Sequence, residues 1–307
     1  MFILRLKQSF IEVYDSGTFD FKRRVAIKGG VWTNLRIIDP DDIASCSVKN
    51  CLYAFNKGFH SQDPSIIRFN PTTGNVISNW TKFETCRISV ARDTNVILTS
   101  TFQLDEYTAD GEIIREIRLD SGTGITRAWH AAKLNNGLFV VCHGAMSIWG
   151  DSTGRVCLLS TKIANIEMIR MRWTNRVDEV EILKEFGRVE GESINILGRP
   201  FYLSVDKEDT MLVLHESVNE NRAVLISSNL EKPRIIVSKD HGMKSSRRAC
   251  FNDSRGQWLV ADYHRVMVCR VKDGEVEREI YDLPHGAQNE QDLQRSSEAF
   301  DNDNGDN

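Results

Sequence analysis

A short unit keeps returning along this 307-residue chain: a turn-forming pair followed by a dense apolar strand. It reads Asn50-Cys51-Leu52-Tyr53-Ala54, then Asn95-Val96-Ile97-Leu98-Thr99, then Asn136-Gly137-Leu138-Phe139-Val140-Val141. It returns as Asp209-Thr210-Met211-Leu212-Val213-Leu214 and as Arg255-Gly256-Gln257-Trp258-Leu259-Val260. The leading residues are 45, 41, 73 and 46 positions apart. Three of those spacings match the roughly 40–45 residues of a four-stranded propeller blade. A sixth copy, Met1 to Leu6, lacks its leading turn.

The pattern predicts an all-β, six-bladed β-propeller over residues 1–280. Its first blade is expected to be incomplete, and an insertion is expected between blades four and five. The 73-residue spacing exceeds one blade pitch by about thirty residues, too few for another blade, and the surplus falls between Ser160 and Gly198. Within it, Val177 to Phe186 fits neither the helical nor the strand period cleanly. The first blade shows three strands, at Phe2 to Leu6, Phe10 to Tyr14 and Arg23 to Ile27. The segment expected to supply a fourth, Tyr281 to Ala287, carries Pro284, which cannot donate to a central ladder. The two chain ends are therefore expected to be weakly latched or not latched, with fast hydrogen exchange over Phe2 to Val13. A truncated gene model or a fragment would account for such a seam.

Residues 281–307 hold seven acidic residues and one basic residue, Arg295, and read as an acidic disordered tail. Without them the chain has 38 basic and 36 acidic residues out of totals of 39 and 43. That near-neutral balance gives no support to nucleic-acid binding as a general property, and no DNA partner is expected. No run approaches 18 apolar residues, and the first residues are too short and charged for a signal-peptide core. No membrane partner and a cytoplasmic location are expected. Seven cysteines, with Cys142, Cys157 and Cys269 inside apolar strands, suggest reduced buried thiols.

Laid out in this way, the chain resembles the NHL-repeat family of six-bladed propellers. The resemblance is carried by Arg222 to Ile226 and Leu259 to Val266, within Phe201 to Ile226 and Cys250 to Val271. It implies a fold shared by scaffolds, substrate-recognition domains of ubiquitin ligases, RNA-binding propellers and a few lyases, so it leaves the activity open.

Four residues are candidates for the channel: Ser89, His130, Asp206 and Asp262. One imidazole near the axis does not make a zinc site. Calcium would need oxygen ligands converging on the channel, whereas Asp110, Asn135, Asp209 and Asp273 sit in turns that explain them. No catalytic or metal-binding residue and no cofactor is assigned. The densest basic run, Arg234, Lys239, His241, Lys244, Arg247 and Arg248, is a candidate interaction patch for an anionic partner. The expected function is a noncatalytic interaction module, binding protein as a scaffold or substrate-recognition domain. The alternatives are a calcium-dependent hydrolase or lyase, and single-stranded RNA binding through a basic face.

Overall fold

The computed structural model describes residues 2–4, 10–15, 18–26, 40–56, 64–81, 87–119, 123–125, 127–144, 154–162, 179–187, 199–216, 221–231, 233–242, 247–262 and 265–283. These form an all-β propeller with five four-stranded blades and one three-stranded sheet. The three-stranded sheet is β1 (Phe2–Leu4), β2 (Phe10–Tyr14) and β3 (Phe21–Ala26). The first four-stranded blade is β4 (Pro40–Cys46), β5 (Cys51–Asn56), β6 (Ser65–Phe69) and β7 (Val76–Thr81). The second is β8 (Arg87–Val90), β9 (Val96–Ser100), β10 (Gln103–Tyr107) and β11 (Ile113–Arg118). The third is β12 (Ala128–Lys133), β13 (Phe139–Gly144), β14 (Gly154–Lys162) and β15 (Glu179–Phe186). The fourth is β16 (Arg199–Val205), β17 (Met211–Glu216), β18 (Asn221–Ile226) and β19 (Arg234–Val237). The fifth is β20 (Arg248–Asn252), β21 (Gln257–Ala261), β22 (Arg265–Lys272) and β23 (Glu275–Asp282).

The recurring marker is the hairpin joining the first strand of each blade to the second. At every one of these five turns a residue adopts positive φ: Asn50 (44°), Thr94 (71°), Gly137 (85°), Asp209 (61°) and Gly256 (61°). Glycine and asparagine tolerate that conformation, whereas the branched Cβ of Thr94 makes it costly. The run that follows is apolar because neighbouring blades cover both faces of the second strand. All five residues of β9 and all six of β13 are buried. The outermost strand meets solvent on one side, and β23 accordingly alternates between exposed and half-buried residues.

The core is divided among six apolar clusters, each filling the wedge between adjacent sheets. Tyr53, Phe55 and Ile66 meet Ile88, Val96 and Leu98 in one. Ile117 and Leu104 meet Phe139 and Val141 in the next. Val140 and Val156 then meet Leu203, Met211 and Val213, and Leu212 and Leu214 meet Trp258 and Val260. Ile11 of β2 packs on Leu52, Ala54, Ile67 and Phe69. Tyr14 and Phe19 pack on Leu259, Val266, Val268 and Leu283. The three-stranded sheet is thus buried against both of its neighbours. Each fully buried large apolar side chain contributes about 1.5–3 kcal/mol.

Three expectations change. Five four-stranded blades are present rather than six blades, and the N-terminal strands form a three-stranded sheet. Glu179–Phe186, expected as an insertion beside the outer strand, is the outer strand itself, pairing with β14 from Val156↔Phe186 to Lys162↔Glu179. Opposite Leu158 and Leu159 the pairing jumps from Lys184 to Ile182, and the extra residue Leu183 breaks the strand's period, which is why neither periodicity fits the sequence. Residues 163–178, where much of the surplus lies, fall outside the described residues. Tyr281 and Asp282, expected to begin a strand closing the first sheet, instead end β23, paired with Val266 and Arg265. They still reach the N-terminal sheet: the Tyr281 ring lies 4.4 Å from that of Phe19, and Leu283 is buried beside it. Residues 284–287 and the rest of the tail lie outside the described residues.

Candidate functional site: the arginine-ringed channel mouth

The first strands of the five blades, β4, β8, β12, β16 and β20, stand side by side in that order and line the axis. Small residues such as Ala44, Ala131 and Ala249 let them converge. At the end where these strands begin, three carry the same irregularity. A register shift falls between Pro40 and Asp42 in β4, between Ala128 and His130 in β12, and between Pro200 and Tyr202 in β16. A bulge inserts one residue and re-aims the side chains beside it. Here the bulges bring Asp42, His130 and Tyr202 into one cluster with Arg87 and Arg248.

Asp42 is fully buried. Its carboxylate accepts from the backbone N–H of Ile43 at 3.0 Å and of Ile88 at 2.9 Å. It also pairs with the Arg248 guanidinium at 2.7 Å, which links the first four-stranded blade to the last. Arg248 in turn lies 5.1 Å from the centroid of the Tyr202 ring, and the Tyr202 and His130 rings are 4.4 Å apart. His130 is 1% exposed, and no hydrogen bond of ordinary geometry reaches either ring nitrogen. Burial lowers its pKa to about 4, against the pull of the Asp42 carboxylate and of the Ile88 backbone and with the help of Arg248 and Arg87. The imidazole is therefore neutral at physiological pH, with one donor and one acceptor nitrogen. Burial likewise raises the Tyr202 phenol, so that it too stays neutral. Cys250 is solvent-accessible, yet the protein around it pushes its thiol up to about 11. Those two facts agree for a side chain facing an enclosed channel.

Arginines recur at this end of the inner strands, two of them, Arg87 and Arg248, within the cluster itself. Arg87, Arg199 and Arg248 begin β8, β16 and β20, and Arg127 and Arg247 directly precede β12 and β20. Trp129 contacts two of them, with the Arg127 guanidinium 4.2 Å and the Arg199 guanidinium 4.7 Å from its ring centroid. Its indole N–H has no partner among the described residues. Arg199 also approaches Glu216 at 3.8 Å.

Of the four channel candidates, His130 is the one in this cluster. Ser89 is on the inner strand β8, but its hydroxyl donates to the Ala131 carbonyl at 2.8 Å and ties β8 to β12. Asp206 closes the turn at the other end of β16, accepting from the N–H groups of Glu208 and Thr210 at 2.8 Å each. Burial raises its pKa despite those bonds. Asp262 accepts from the N–H of Arg265 at 2.8 Å in the turn between β21 and β22. The basic run also divides. Arg234 is on the outer strand β19, where it donates to the Gly274 carbonyl. Lys239 and His241 are in a short 3-10 turn, with His241 Nδ1 accepting from the Ser238 N–H at 2.9 Å. Arg247 is exposed just before β20, whereas Arg248 belongs to the channel cluster. Lys244 lies outside the described residues.

Sequence reasoning missed Asp42, Arg87, Tyr202 and Cys250, and grouped Arg248 with the basic run rather than with the channel. Counting six residues back from each marker reaches Ala44, Ser89, His130, Leu203 and Ala249, which finds His130 but passes over Asp42, Tyr202 and Arg248. Turn lengths differ between blades and the bulges shift the phase, so no single offset finds the channel. A usable signal was present: an arginine begins each of the first strands at 87, 199 and 248.

Among the described residues no three His, Cys, Asp or Glu side chains form a group able to hold a metal ion. Cys142, Cys157 and Cys269 are buried and unbridged. No described helix is long and apolar enough to cross a membrane.

No protein-family model matches the chain, and no curated protein sequence matches it. Solved structures do. The nidogen/laminin complex aligns with a TM-score of 0.57 at 13% identity, covering 91% of this chain and 92% of that one. Hydrazine synthase of Kuenenia stuttgartiensis aligns with a TM-score of 0.53 at 12% identity, covering 88% of this chain and 72% of that one. A functionally unknown protein from Desulfotomaculum acetoxidans aligns with a TM-score of 0.51 at 12% identity, covering 92% and 79%. At such identities the likeness concerns the backbone alone, and it identifies the chain as a β-propeller.

Proposed function

We propose that this propeller is a noncatalytic binding platform whose working surface is the arginine-ringed mouth, and that it takes an acidic segment of a protein partner. The carrying observation is the placement of Arg87, Arg127, Arg199, Arg247 and Arg248 around one end of the channel. Arginine's planar fork suits carboxylates, and a ring of such groups focuses field lines on an approaching anion. The NHL-type reading belongs here as well. It is supported by the repeated four-stranded blades, with the three-stranded sheet packed against both of its neighbours.

Peptide is favoured over single-stranded RNA by the state of Trp129. RNA recognition uses aromatic faces open for base stacking, and this indole is already engaged by two guanidinium groups. The calcium-hydrolase reading has no observation to carry it: Asp42, the buried channel carboxylate, is already engaged by Arg248 and two amides.

Hexaglutamate, a neutral peptide of equal length and hexauridylate, each carrying a fluorophore, test the reading by anisotropy at two salt concentrations. Hexaglutamate should bind best, weaken with salt, and lose about tenfold in affinity in Arg127→Gln or Arg199→Gln. Tighter binding of the RNA, or no preference for the acidic over the neutral peptide, would overturn it.

A further inference from the structure

The last described strand delivers the chain to the arginine end of the channel. Arg248 of β20 stands opposite Ala261, Ala261 opposite Val266, and Val266 opposite Tyr281. β23 therefore ends in the same cross-strand row in which β20 begins. Three strand spacings put that exit about 14 Å from Arg248. It is fixed at two points. Leu283 is buried in a cluster with Phe19, Leu259 and Val266, and the Asp282 carboxylate accepts from Arg265 Nε at 2.9 Å. Beyond it the sequence carries Glu290, Asp292, Glu298, Asp301, Asp303 and Asp306 against the single basic residue Arg295.

Resting on the platform reading above, we infer that this acidic segment, residues 290–306, docks across the arginine end of its own channel and competes there with the acidic partner. Reach allows it. The stretch from Asp282 to Glu290 spans up to about 26 Å when extended, well beyond the distance back to Arg248. Charge directs it. Arg87, Arg127, Arg199, Arg247 and Arg248 recur at this end. The described turns of the opposite face are mixed instead, with Asp93, Asp110, Asp209 and Asp273 among Arg92, Lys207 and Lys272. A guanidinium has five N–H donors, so one partner within the protein does not exhaust it. The pair of Asp282 with Arg265 is the first such contact, made where the chain leaves the fold. A ligand tethered this close acts at a concentration of the order of millimolar. That opposes a partner of modest affinity without sealing the channel.

The test neutralises these carboxylates in the full-length chain, by Glu290→Gln, Asp292→Asn, Glu298→Gln, Asp301→Asn, Asp303→Asn and Asp306→Asn, which leaves every described residue unaltered. Labelled hexaglutamate should bind this variant about two- to tenfold more tightly than the unaltered chain at low salt, with the difference lost at high salt. A labelled peptide of residues 288–307 should bind the variant, bind the unaltered chain less, and weaken about tenfold with Arg127→Gln or Arg199→Gln. Equal hexaglutamate affinity in the two chains, with its arginine dependence intact, overturns the tail contact and leaves the platform standing. Arginine-dependent binding of the 288–307 peptide, with no preference of either chain for hexaglutamate over the neutral peptide, overturns the platform and leaves the tail contact standing. A gain that grows with protein concentration moves the segment onto a second copy of the chain and overturns the intramolecular contact. Peptide binding that both arginine substitutions leave unchanged overturns docking at this end.

Discussion

The two ends of the inner strands are built to different standards. At the end that carries the marker turns, polar groups satisfy one another. Glu106 is buried and receives Arg115 at 2.6 Å, Lys133 at 2.6 Å and Asn95, while Lys133 also reaches Asp93 at 2.6 Å. Asn135 and Asp209 join neighbouring blades through the Asn135 N–H at 3.0 Å, and Arg92 meets Asp253 at 3.3 Å. At the other end, the Trp129 indole N–H and Arg199 Nε are buried without a hydrogen bond among the described residues, His143 Nε2 stays 3.6 Å from Glu185, and three first strands are bulged. One end closes the ring, whereas the other keeps unspent hydrogen-bonding capacity. Stability and binding are thereby assigned to opposite faces of the same strands.

Acid should separate the two ends most strongly. Burial holds His130, His143 and His215 at about 4 in the folded state, below the ordinary 6.5. A lowered folded pKa means that the unfolded chain binds more protons below pH 6.5. The stabilisation is therefore complete above 6.5 and is lost as pH falls toward 4. Each residue is worth up to about 3 kcal/mol across that window. For Glu106, burial raises the pKa, but the bonds from Lys133, Asn95 and Arg115 outweigh it and hold the carboxyl below 4.5. Its contribution should survive to pH 4.5 and disappear only as pH falls through the folded value. Urea unfolding from pH 7 to 4 should show a steep loss that His130→Phe makes shallower. A slope unchanged by that substitution would break the account of the mouth.

Replacing Glu106 by Gln tests the turn end directly. It leaves the cations of Lys133 and Arg115 without their shared carboxylate and should cost about 3 kcal/mol at pH 7. His130→Phe at the same pH should cost far less, or stabilise, because it removes a buried polar ring that lacks a well-formed hydrogen bond. Equal losses from the two substitutions would erase the distinction between the ends.

A smaller gain is expected at Thr94, the β-branched residue at positive φ in a turn where the other blades use Asn, Asp or Gly. Thr94→Gly should stabilise by about 1 kcal/mol, read as a raised denaturation midpoint with an unchanged slope. Least affected should be Arg92→Ala. Its pair with Asp253 is exposed on both sides, and its loss should change stability by about 0.5 kcal/mol or less. A larger effect would mean that this contact helps to hold the ring closed.

The sequence alone determined the class of the fold, because each blade repeats a local demand. A positive-φ turn must be followed by a strand buried on both faces, and Asn50, Gly137, Asp209 and Gly256 with the runs after them state that demand plainly. His130 stood out for the same reason, as a lone imidazole among small residues. Only the tertiary structure decided that Asp42 and Arg248, 206 positions apart in the chain, form one ion pair across the seam between the first and last four-stranded blades. It also moved Arg248 out of the basic run and into the channel, and made Glu179–Phe186 an outer strand. Periodicity is set by neighbours along the chain. Bulges slip its phase by a residue at a time, and which side chains then share an axis is fixed by the closing of the ring.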